Sequence, residues 1–374
     1  MESIIVFSHL RWDFVFQRPQ HLMSRLARHC AVLFVEEPQP GGIQLEWQQS
    51  SPQRGLTVLR PEMNIEKPGF HHVDPAPLRK KLREVRAQYP NPIAWLYTPM
   101  AMPLLDAIEP RAIVYDCMDE LSAFMNPPPE LAMREQALMS AADIVFTGGP
   151  SLYETRRYRH PNVHCFPSSV DVGHFRQALD RNIAHPALLD LPGPRLGYFG
   201  VLDERLDLDL IAAIADQRPD WQLILVGPVA KIDSDQLPRR ANIHYLGQQP
   251  YQKLPQFLAA WDICLMPFAM NESTRFISPT KSLEYMAAEL PVVSTPVPDV
   301  RALHSDVIDI AEGSEAFIRG CERALAMSDA ERQQKIRRMR EKISRTSWDT
   351  TAAGMRSLLC KLAEPAALSQ PSAQ

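Results

Sequence analysis

A polar loop that runs into a helical sequence near residue 278 carries residues that could bind a phosphorylated ligand. The loop ends at Ser278 and is followed by PTKSLEYMAAE. Serine is a good N-cap and proline suits the first helical turn, so the sequence predicts a helix that starts here. Free N–H groups and the dipole at such a helix start bind phosphate. Lys281 adds a positive charge, and Glu284, on about the same face, could accept both hydroxyls of a ribose.

A second polar turn, VLDERLD, follows the predicted strand from Leu196 to Gly200, which ends in GYFG. Gly200 would let a ligand approach the backbone, and Arg205 could hold a diphosphate with two parallel hydrogen bonds. The alternative is that the helix start is only a helix start and that Arg205 pairs with its acidic neighbours on the surface.

Another set of polar and aromatic residues follows the first predicted strand, in SHLRWDFVFQRPQHL. Ligands bind at the carboxyl ends of strands in parallel sheets, which is where His9, Trp12, Asp13 and Arg18 would lie. Aromatic faces bind sugar rings, while Asp and Arg bind hydroxyls or phosphate. Asp116 closes a further strand and could face the same cleft. The alternative is that Trp12 fills the domain core and Arg18 pairs locally.

Short apolar runs alternate with amphipathic stretches along the whole chain. This pattern is typical of βαβ units, whose strands and helices would position the residues named above. We predict an α/β fold with two Rossmann-like, doubly wound parallel sheets that face a cleft. The predicted strands of the first sheet are 3–8, 31–36, 93–97, 112–116, 143–147 and 163–167, and those of the second are 196–200, 222–227, 243–246, 263–267, 292–295 and 307–310.

A proline-punctuated stretch from Asp171 to Pro194 suits a linker between the two sheets. The predicted domains are therefore residues 1–172 on the acceptor side and residues 173–345 on the donor side. The last residues, 364–374, are rich in Pro, Ser and Ala and are predicted to be a disordered tail.

Composition excludes several classes of protein. The chain has 374 residues and a formal net charge of -4, which gives no bulk attraction to a polyanion, so no nucleic-acid partner is expected. Its six cysteines form no C-x-x-C pair and no Cys/His cluster, which argues against structural zinc. There is no basic segment before the first apolar stretch and no apolar run of the ~20 residues that a membrane span needs. We expect a cytoplasmic protein.

Residues 77–88 form a basic amphipathic sequence, PLRKKLREVRAQ, in which Leu78, Leu82 and Val85 make one apolar stripe. A helix of this kind can lie on an anionic membrane surface. The alternative is that the stripe packs on its own domain. We predict peripheral contact with the inner membrane face through residues 77–88, which sedimentation with anionic vesicles at low salt would test.

Two D-x-D sequences, Asp207-Leu-Asp209 and Asp233-Ser-Asp235, formally resemble a metal-binding motif. The first would start an amphipathic helix and the second would lie in a loop, so neither is expected to hold a metal. We predict no essential metal and no cofactor.

The second half of the chain resembles the donor-binding domain of GT-B glycosyltransferases similar to family 4. The residues that carry the resemblance are the ordered series LGYFGVLDERLDLDLI, NIHYLGQQPYQKLPQFL and NESTRFISPTKSLEYMAAE. The element WDFVFQRPQHL resembles a bacterial polysaccharide-biosynthesis subgroup. The resemblance implies a hexosyltransferase that moves a sugar from a nucleotide-diphosphate sugar to a glycan or lipid-linked acceptor, with retention and without a metal. It also implies that the helix of residues 346–363, with Trp348, crosses back onto the first domain.

The resemblance implies specific donor residues. Glu284 matches the glutamate that holds the ribose, Lys281 and the backbone at Ser278 to Thr280 match the diphosphate site, and the segment from Tyr245 to Gln248 matches the loop against the base. The donor-binding residues expected are Gly200, Arg205, Gly247, Glu272, Arg275, Ser278, Pro279, Thr280, Lys281 and Glu284.

The sequence departs from the family pattern at two positions. Phe276 stands where the family has a glutamate that contacts the donor sugar, and Glu272 is the substitute we consider. Val201 stands where an Arg is usual, so Arg205 or Arg275 would supply the diphosphate charge.

Catalysis needs a group that orients or deprotonates the acceptor hydroxyl and cations that stabilise the departing diphosphate. We assign Asp13 to the first role and Arg205 and Lys281 to the second.

Three other functions compete with glycosyl transfer. A nucleotide-sugar epimerase could use the same donor cleft without an acceptor. A catalytically silent nucleotide-sugar-binding protein is made conceivable by Phe276. A dinucleotide oxidoreductase is disfavoured, because no G-x-G-x-x-G follows a predicted strand.

Overall fold

The computed structural model describes residues 3–42, 44–71 and 73–363. The predicted tail of residues 364–374 lies outside the described residues. The chain folds into two α/β domains, each built on a mainly parallel sheet with helices on both faces. This confirms the predicted fold class.

The first domain is built on one sheet with the order β3-β5-β2-β1-β6-β7-β8-β9, and β4 pairs antiparallel with β5. Its strands are β1 (Ser3–Ser8), β2 (Ala31–Glu36), β3 (Gln39–Pro40), β4 (Glu46–Gln53), β5 (Leu56–Met63), β6 (Ile93–Leu96), β7 (Ala112–Cys117), β8 (Ile144–Thr147) and β9 (Val163–Cys165). Its helices are α1 (Arg18–Leu26), α2 (Pro75–Arg86), α3 (Leu105–Ile108), α4 (Leu131–Ala141) and α5 (Pro150–Arg156).

The second domain has a wholly parallel sheet with the order β12-β11-β10-β13-β14-β15. Its strands are β10 (Arg195–Phe199), β11 (Gln222–Val226), β12 (Ile243–Tyr245), β13 (Ile263–Met266), β14 (Val292–Ser294) and β15 (Asp309–Ile310). The helices are α6 (Val172–Phe175), which leads into the domain, α7 (Leu208–Gln217), α8 (Leu254–Leu258), α9 (Lys281–Ala287), α10 (Pro298–His304), α11 (Ser314–Leu325) and α12 (Asp329–Ser344). The last helix, α13 (Trp348–Ala363), follows α12 and packs on the first domain. Short 3-10 helices cover Pro99–Leu104, Leu121–Ala123, Arg176–Leu179, Arg181–Ile183, Pro186–Leu188, Ser234–Gln236 and Tyr251–Lys253.

The predicted strands are all present, with ends within two residues of the prediction. The prediction missed β3, β4 and β5. The reason is visible in β4, EWQQSSPQ, whose side chains are polar and mostly exposed and therefore give no apolar run to detect.

The order of strands fixes where a ligand can bind. In the first sheet β1 lies between β2 and β6, and in the second β10 lies between β11 and β13. At these two positions the chain reverses its direction of travel across the sheet, and the loops on either side separate to leave a crevice. The loops that follow β1 and β10 must therefore form the walls of any cleft between the domains.

Residues 348–359 of α13 belong to the core of the first domain. Trp348, Ala352, Met355 and Leu359 are buried in the cluster that also holds Val6 and other β-strand residues. The indole of Trp348 stacks on His21 of α1, with ring centroids 4.7 Å apart. The last helix thus joins the end of the chain to the first domain, where its apolar face is buried.

Helix α2 does not present its apolar stripe to a membrane. Leu78 and Leu82 are each 1% exposed and lie in the core of the first domain. Several of its basic residues are paired, since Arg79 contacts Asp106 and Arg86 contacts Glu109. The stripe therefore packs on its own domain, as the alternative had it, and supplies no apolar face to a membrane; the predicted membrane contact of residues 77–88 stays a prediction. Within the described residues, no helix is long and apolar enough to cross a membrane.

Candidate active site

A cleft of about 960 Å³ lies between the domains. The first-domain wall includes residues 12–17. The second-domain wall includes the turns at 199–201 and 226–228, Arg205, the loop at 248–252, and Thr280, Lys281 and Glu284 at and just before the start of α9. The side-chain amide of Gln248 donates a hydrogen bond to the carbonyl of Phe14, so the two walls touch at one end of the cleft.

Three glycines end consecutive strands of the second sheet: Gly200 after β10, Gly227 after β11 and Gly247 after β12. Their φ angles are 145°, 152° and 64°, which L side chains rarely adopt. Gly200 N–H donates to Val226 and Gly227 N–H donates to Gly247. A Cβ on Gly227 would lie 1.8 Å from the carbonyl oxygen of Gly200. Gly200 and Gly227 line the cleft, whereas Gly247, predicted to bind the donor, lies outside its lining. The first two glycines therefore form a backbone floor on which a ligand can lie, and Gly247 supports it from beneath through its hydrogen bond with Gly227.

The cationic Lys281 and the acidic Glu284 line this cleft in the first turn of α9. The Lys281 side chain lies over the turn at Gly200, because a Cβ there would come within 2.7 Å of its Nζ. Glu284 is 6% exposed. The structure thus places the predicted diphosphate cation and the predicted ribose carboxylate beside the glycine floor.

Burial controls the ionisation of this pair. It lowers the pKa of Lys281 to about 8, against the opposing effect of Glu284. It raises the pKa of Glu284 to about 7, against the opposing effect of Lys281. Both groups therefore change charge close to neutral pH, and an anionic ligand beside Lys281 would favour its protonated form.

The helix begins later than predicted. Its first residue is Lys281, and Thr280 precedes it without a side-chain cap. Ser278 is not the N-cap because it faces the first domain, where its carbonyl accepts a hydrogen bond from Ser168 Oγ. Thr280 lines the cleft, whereas Ser278 and Pro279 are half-buried outside its lining.

Arg205 lines the cleft but is already paired. Its guanidinium donates to both carboxylate oxygens of Asp203, with the shortest contact at 2.6 Å. Its Cζ also lies 5.6 Å from the ring centroid of Phe124 in the first domain. A diphosphate would have to compete with Asp203 for this cation.

The two other donor residues predicted from the loop before α9 lie away from the cleft. Glu272 and Arg275 have side chains that are 75% and 62% exposed, and their closest charged atoms are 3.9 Å apart. Neither lines the cleft. Phe276, between them and α9, packs against the core of the first domain.

On the first-domain wall, Trp12 and Asp13 line the cleft. Trp12 is 8% exposed, its ring packs edge-on against Phe34, and its backbone N–H donates to Glu36. It therefore fills the core and shapes the cleft at the same time. Asp13 has a side chain that is 72% exposed, and its nearest cation is Arg60 at 3.6 Å.

The predicted acceptor residues Arg18 and Asp116 bind each other instead. The guanidinium of Arg18 donates to Asp116 at 2.8 to 3.2 Å and to the carbonyl of Phe166 at 2.7 Å. The two side chains are 4% and 0% exposed, and neither lines the cleft. In this structure they form a buried ion pair that joins α1 to β7, so contact with an acceptor is not what they provide.

His9 also lies outside the lining of the cleft. Its ring Nδ1 is buried and, within the described chain, has no hydrogen-bond partner. Burial and the positive charge of Lys231 lower its pKa to about 4, so the imidazole is neutral at pH 7.

Several cleft residues were missed at the sequence level. Tyr251 stacks between Phe16 of the first domain and His174, with ring centroids 4.7 Å and 4.3 Å away. Both Phe16 and Tyr251 line the cleft. Single aromatic residues in variable loops give no spacing signal, so only the fold brings them together. Gly227, in contrast, could have been found, because it ends a strand just as Gly200 does.

The two D-x-D sequences have structural roles. Asp207 accepts a hydrogen bond from Leu210 N–H at the start of α7, and Asp233 caps a 3-10 helix in the same way. Among the residues that the structure describes, no group of three His, Cys, Asp or Glu side chains is arranged to hold a metal ion.

Comparison with known proteins gives a family match to the second domain. The family described as glycosyl transferases group 1 matches residues 193–327, which contain β10 to β15 and the donor-side cleft wall. TuaH of Bacillus subtilis (strain 168), provisionally named a teichuronic acid biosynthesis glycosyltransferase, is 27% identical over 292 residues, which is 72% of each chain.

Solved structures match the whole architecture. Sucrose-phosphate synthase from Thermosynechococcus elongatus has a TM-score of 0.72 at 17% identity, over 97% of this chain and 99% of that one. The Anabaena protein HepE, in complex with UDP, has a TM-score of 0.65 at 13% identity, over 96% of this chain and all of that one. At such identities the likeness shows the fold. Together with the group 1 match across the donor-side wall of the cleft, it identifies this chain as a glycosyltransferase of the GT-B type.

Proposed function

We propose that this enzyme transfers a hexosyl group from a nucleoside-diphosphate sugar to a glycan or lipid-linked acceptor in bacterial polysaccharide biosynthesis, with retention at the anomeric carbon and without a metal. The observation that carries the donor part is the juxtaposition of Lys281 and Glu284 with the glycine floor of the cleft. The pathway is supported by the similarity to TuaH.

The cleft suits a nucleoside diphosphate for three reasons. Gly200 and Gly227 line the cleft without a side chain, so a diphosphate can approach the backbone there. Lys281 supplies positive charge to the diphosphate, and the carboxylate of Glu284, further along the helix, can accept hydrogen bonds from ribose hydroxyls. The segment from Tyr245 to Gln248, which the resemblance assigns to the base, reaches the cleft lining at Gln248.

In the reaction, the acceptor hydroxyl oxygen bonds to the anomeric carbon while the bond from that carbon to the diphosphate oxygen breaks. Lys281 stabilises the negative charge that develops on the departing diphosphate, and Arg205 joins it by exchanging Asp203 for phosphate. The acceptor proton passes to the departing phosphate oxygen or to Asp13, which lies on the opposite wall.

The first test is a thermal-shift screen with UDP-, GDP- and dTDP-sugars. Saturation at a hundredfold excess over Kd adds about 2.7 kcal/mol to the stability of the folded state, so a true donor raises the melting temperature. Lys281→Ala and Glu284→Ala should each weaken that shift. If no nucleotide changes the melting temperature of the wild-type chain, donor binding is contradicted.

A second measurement separates transfer from its alternatives. A transferase releases nucleoside diphosphate in proportion to glycosylated acceptor. An epimerase converts the donor sugar with no acceptor present, and a silent binding protein shows the thermal shift without turnover.

A further inference from the structure

Strand β4 lies at the edge of the first sheet and carries only uncharged side chains over most of its length. It pairs antiparallel with β5 and, among the described residues, has no strand on its other side. The run from Trp47 to Gln53, WQQSSPQ, has no charged residue. Pro52 and the irregular register between Ser50 and Gln53 discourage pairing with another chain, but only at the end of the strand. The exposed amides and hydroxyls before them are thus left free to bind a ligand.

The register with β5 divides the side chains of β4 between the two faces of the sheet. Gln48 lies opposite Arg60, and Ser50 lies opposite Val58. Residues that lie directly opposite each other in an antiparallel pair have their side chains on the same face. Val58 packs in the core cluster that also contains Leu22 of α1. Gln48 and Ser50 are therefore exposed on the side of the sheet that carries α1.

Both ends of this polar row reach the cleft. At one end, Arg60 contacts Asp13, which lines the cleft, at 3.6 Å. At the other end, Pro52 and Gln53 line the same cleft, and so does Ser24 on α1. The side-chain amide of Gln53 donates a hydrogen bond of 2.6 Å to the carbonyl of Ser24, which joins the end of β4 to α1. The cleft therefore extends from Asp13 to the end of β4.

The length and chemistry of the row suit a chain of sugar residues. A strand rises ~3.3 Å per residue, so the stretch from Gln48 to Gln53 spans roughly 16 Å, which is longer than a single hexose. Glutamine amides and serine hydroxyls can both donate and accept hydrogen bonds. Sugar hydroxyls have the same two capacities, so the row can bind them without any charge.

We infer that the α1 side of β4, with Gln48, Ser50 and Gln53, binds the part of an acceptor glycan that precedes the residue to be glycosylated. The acceptor is then a glycan chain of several residues rather than a single sugar. The inference rests on the proposed function, because it needs an acceptor whose reacting end lies beside Asp13. From there the chain follows Gln48 and Ser50 and ends beside Gln53 and Ser24.

The test measures how affinity depends on the length of the glycan. The probes are fragments of dextran, galactan and mannan, each from the monosaccharide upward, titrated by calorimetry into the full-length protein. For at least one series, the wild type should bind the longer fragments about tenfold or more tightly than the monosaccharide, as several added hydrogen bonds allow. Where a fragment accepts a sugar, KM should fall with its length while kcat stays almost constant.

The double variant Gln48→Ala/Ser50→Ala should lose this gain in affinity with length. Its affinity for the nucleoside diphosphate and for the monosaccharide should stay unchanged, since neither ligand extends along β4. Its melting temperature should also stay unchanged, because both side chains are exposed.

Gln49→Ala is the matched control. Gln49 is an exposed residue of the same type on the same strand, but it lies opposite Leu59, which packs in the core cluster on the other face of the sheet. Its side chain therefore points away from α1, and its removal should leave the dependence on glycan length as in the wild type.

Three results would overturn the inference. The first is an affinity that does not rise with length in any series, and the second is an equal loss in Gln49→Ala. The third is a dimer, seen by light scattering, that Ser50→Lys dissociates, because a lysine on an edge strand blocks pairing with a second copy of the chain. If the wild type binds none of the UDP-, GDP- and dTDP-sugars, the proposed function itself fails. That outcome is distinct, because the measurement uses no oligosaccharide.

Discussion

On the second-domain wall of the cleft, the charged side chains Lys281 and Glu284 face the open space where a ligand would lie. On the first-domain side, Arg18 and Asp116 are turned inward and satisfy each other below the surface. Both sets follow strands in the same type of sheet, and both looked equally suited to bind a ligand from their sequence. The position of a charged residue at a strand end therefore predicts that it lies near the site. Whether it can bind a ligand depends on whether its side chain faces the cleft or is buried in an ion pair.

The largest effect, on the free energy of unfolding, should come from breaking the buried ion pair between Arg18 and Asp116. Asp116→Ala leaves Arg18 buried without its carboxylate, which should lower the free energy of unfolding of the first domain by about 3–5 kcal/mol. Chemical denaturation followed by tryptophan fluorescence measures this change. The double variant Arg18→Met/Asp116→Leu should recover much of the loss, because no unpaired charge then remains. Loss of transfer by Asp116→Ala at unchanged stability would instead make Asp116 a binding residue and would remove the difference between the two walls.

The next largest effect concerns the cleft floor. Gly227→Ala places a Cβ against the carbonyl of Gly200 and forces an L residue to a φ of 152°. Backbone strain of this kind costs about 1–3 kcal/mol, and the displaced turn should weaken nucleoside-diphosphate binding about tenfold or more. Gly313→Ala is the matched control, because it also has a positive φ, of 79°, but no atom within 4 Å of the new Cβ and no place in the cleft. Equal loss of affinity in both variants would show that strain alone, and not the floor, explains the effect.

The two walls of the cleft also show how much of the site can be predicted from the sequence. The strands were predictable because buried strands of parallel sheets are short apolar runs, and Lys281 and Glu284 were predictable from their spacing at a helix start. The polar strand β4 left no such signal. Nor did the partner of Asp116, because Arg18 is 98 residues away. Phe16 and Tyr251 were overlooked as cleft residues because their stacking depends on how two separately folded domains meet.

The pH dependence of binding should sharpen the description of the second-domain wall. The pKa of Lys281 is lowered to about 8, so above this pH the free site loses its cation, and binding an anion must restore a proton. Affinity for the nucleoside diphosphate should therefore fall by about tenfold per pH unit above 8, as expected for uptake of one proton. Below about pH 7 the carboxyl of Glu284 is protonated, which removes acceptor capacity for the ribose and should cause a smaller loss.

Titration calorimetry in two buffers with different ionisation enthalpies measures this proton uptake directly. Lys281→Met should bind weakly and without the decline above pH 8. The exposed Lys361→Met should keep the wild-type profile. A decline that persists in Lys281→Met would assign the titration to another group.

The smallest effect is expected at the exposed end of the first-domain wall. Asp13 lines the cleft with a side chain that is 72% exposed, and its contact with Arg60 at 3.6 Å is a surface ion pair that contributes little to stability. Asp13→Asn should therefore leave the melting temperature and the affinity for the nucleoside diphosphate unchanged. If Asp13 orients the acceptor hydroxyl while the departing phosphate takes the proton, KM for the acceptor should rise by roughly two- to fivefold with turnover almost constant, because the amide keeps one acceptor atom. A roughly 100-fold or larger loss of turnover at saturating acceptor, together with loss of the basic limb of the pH profile, would instead identify Asp13 as the general base. The first-domain wall would then carry a charged residue that acts on the substrate, as the second-domain wall does.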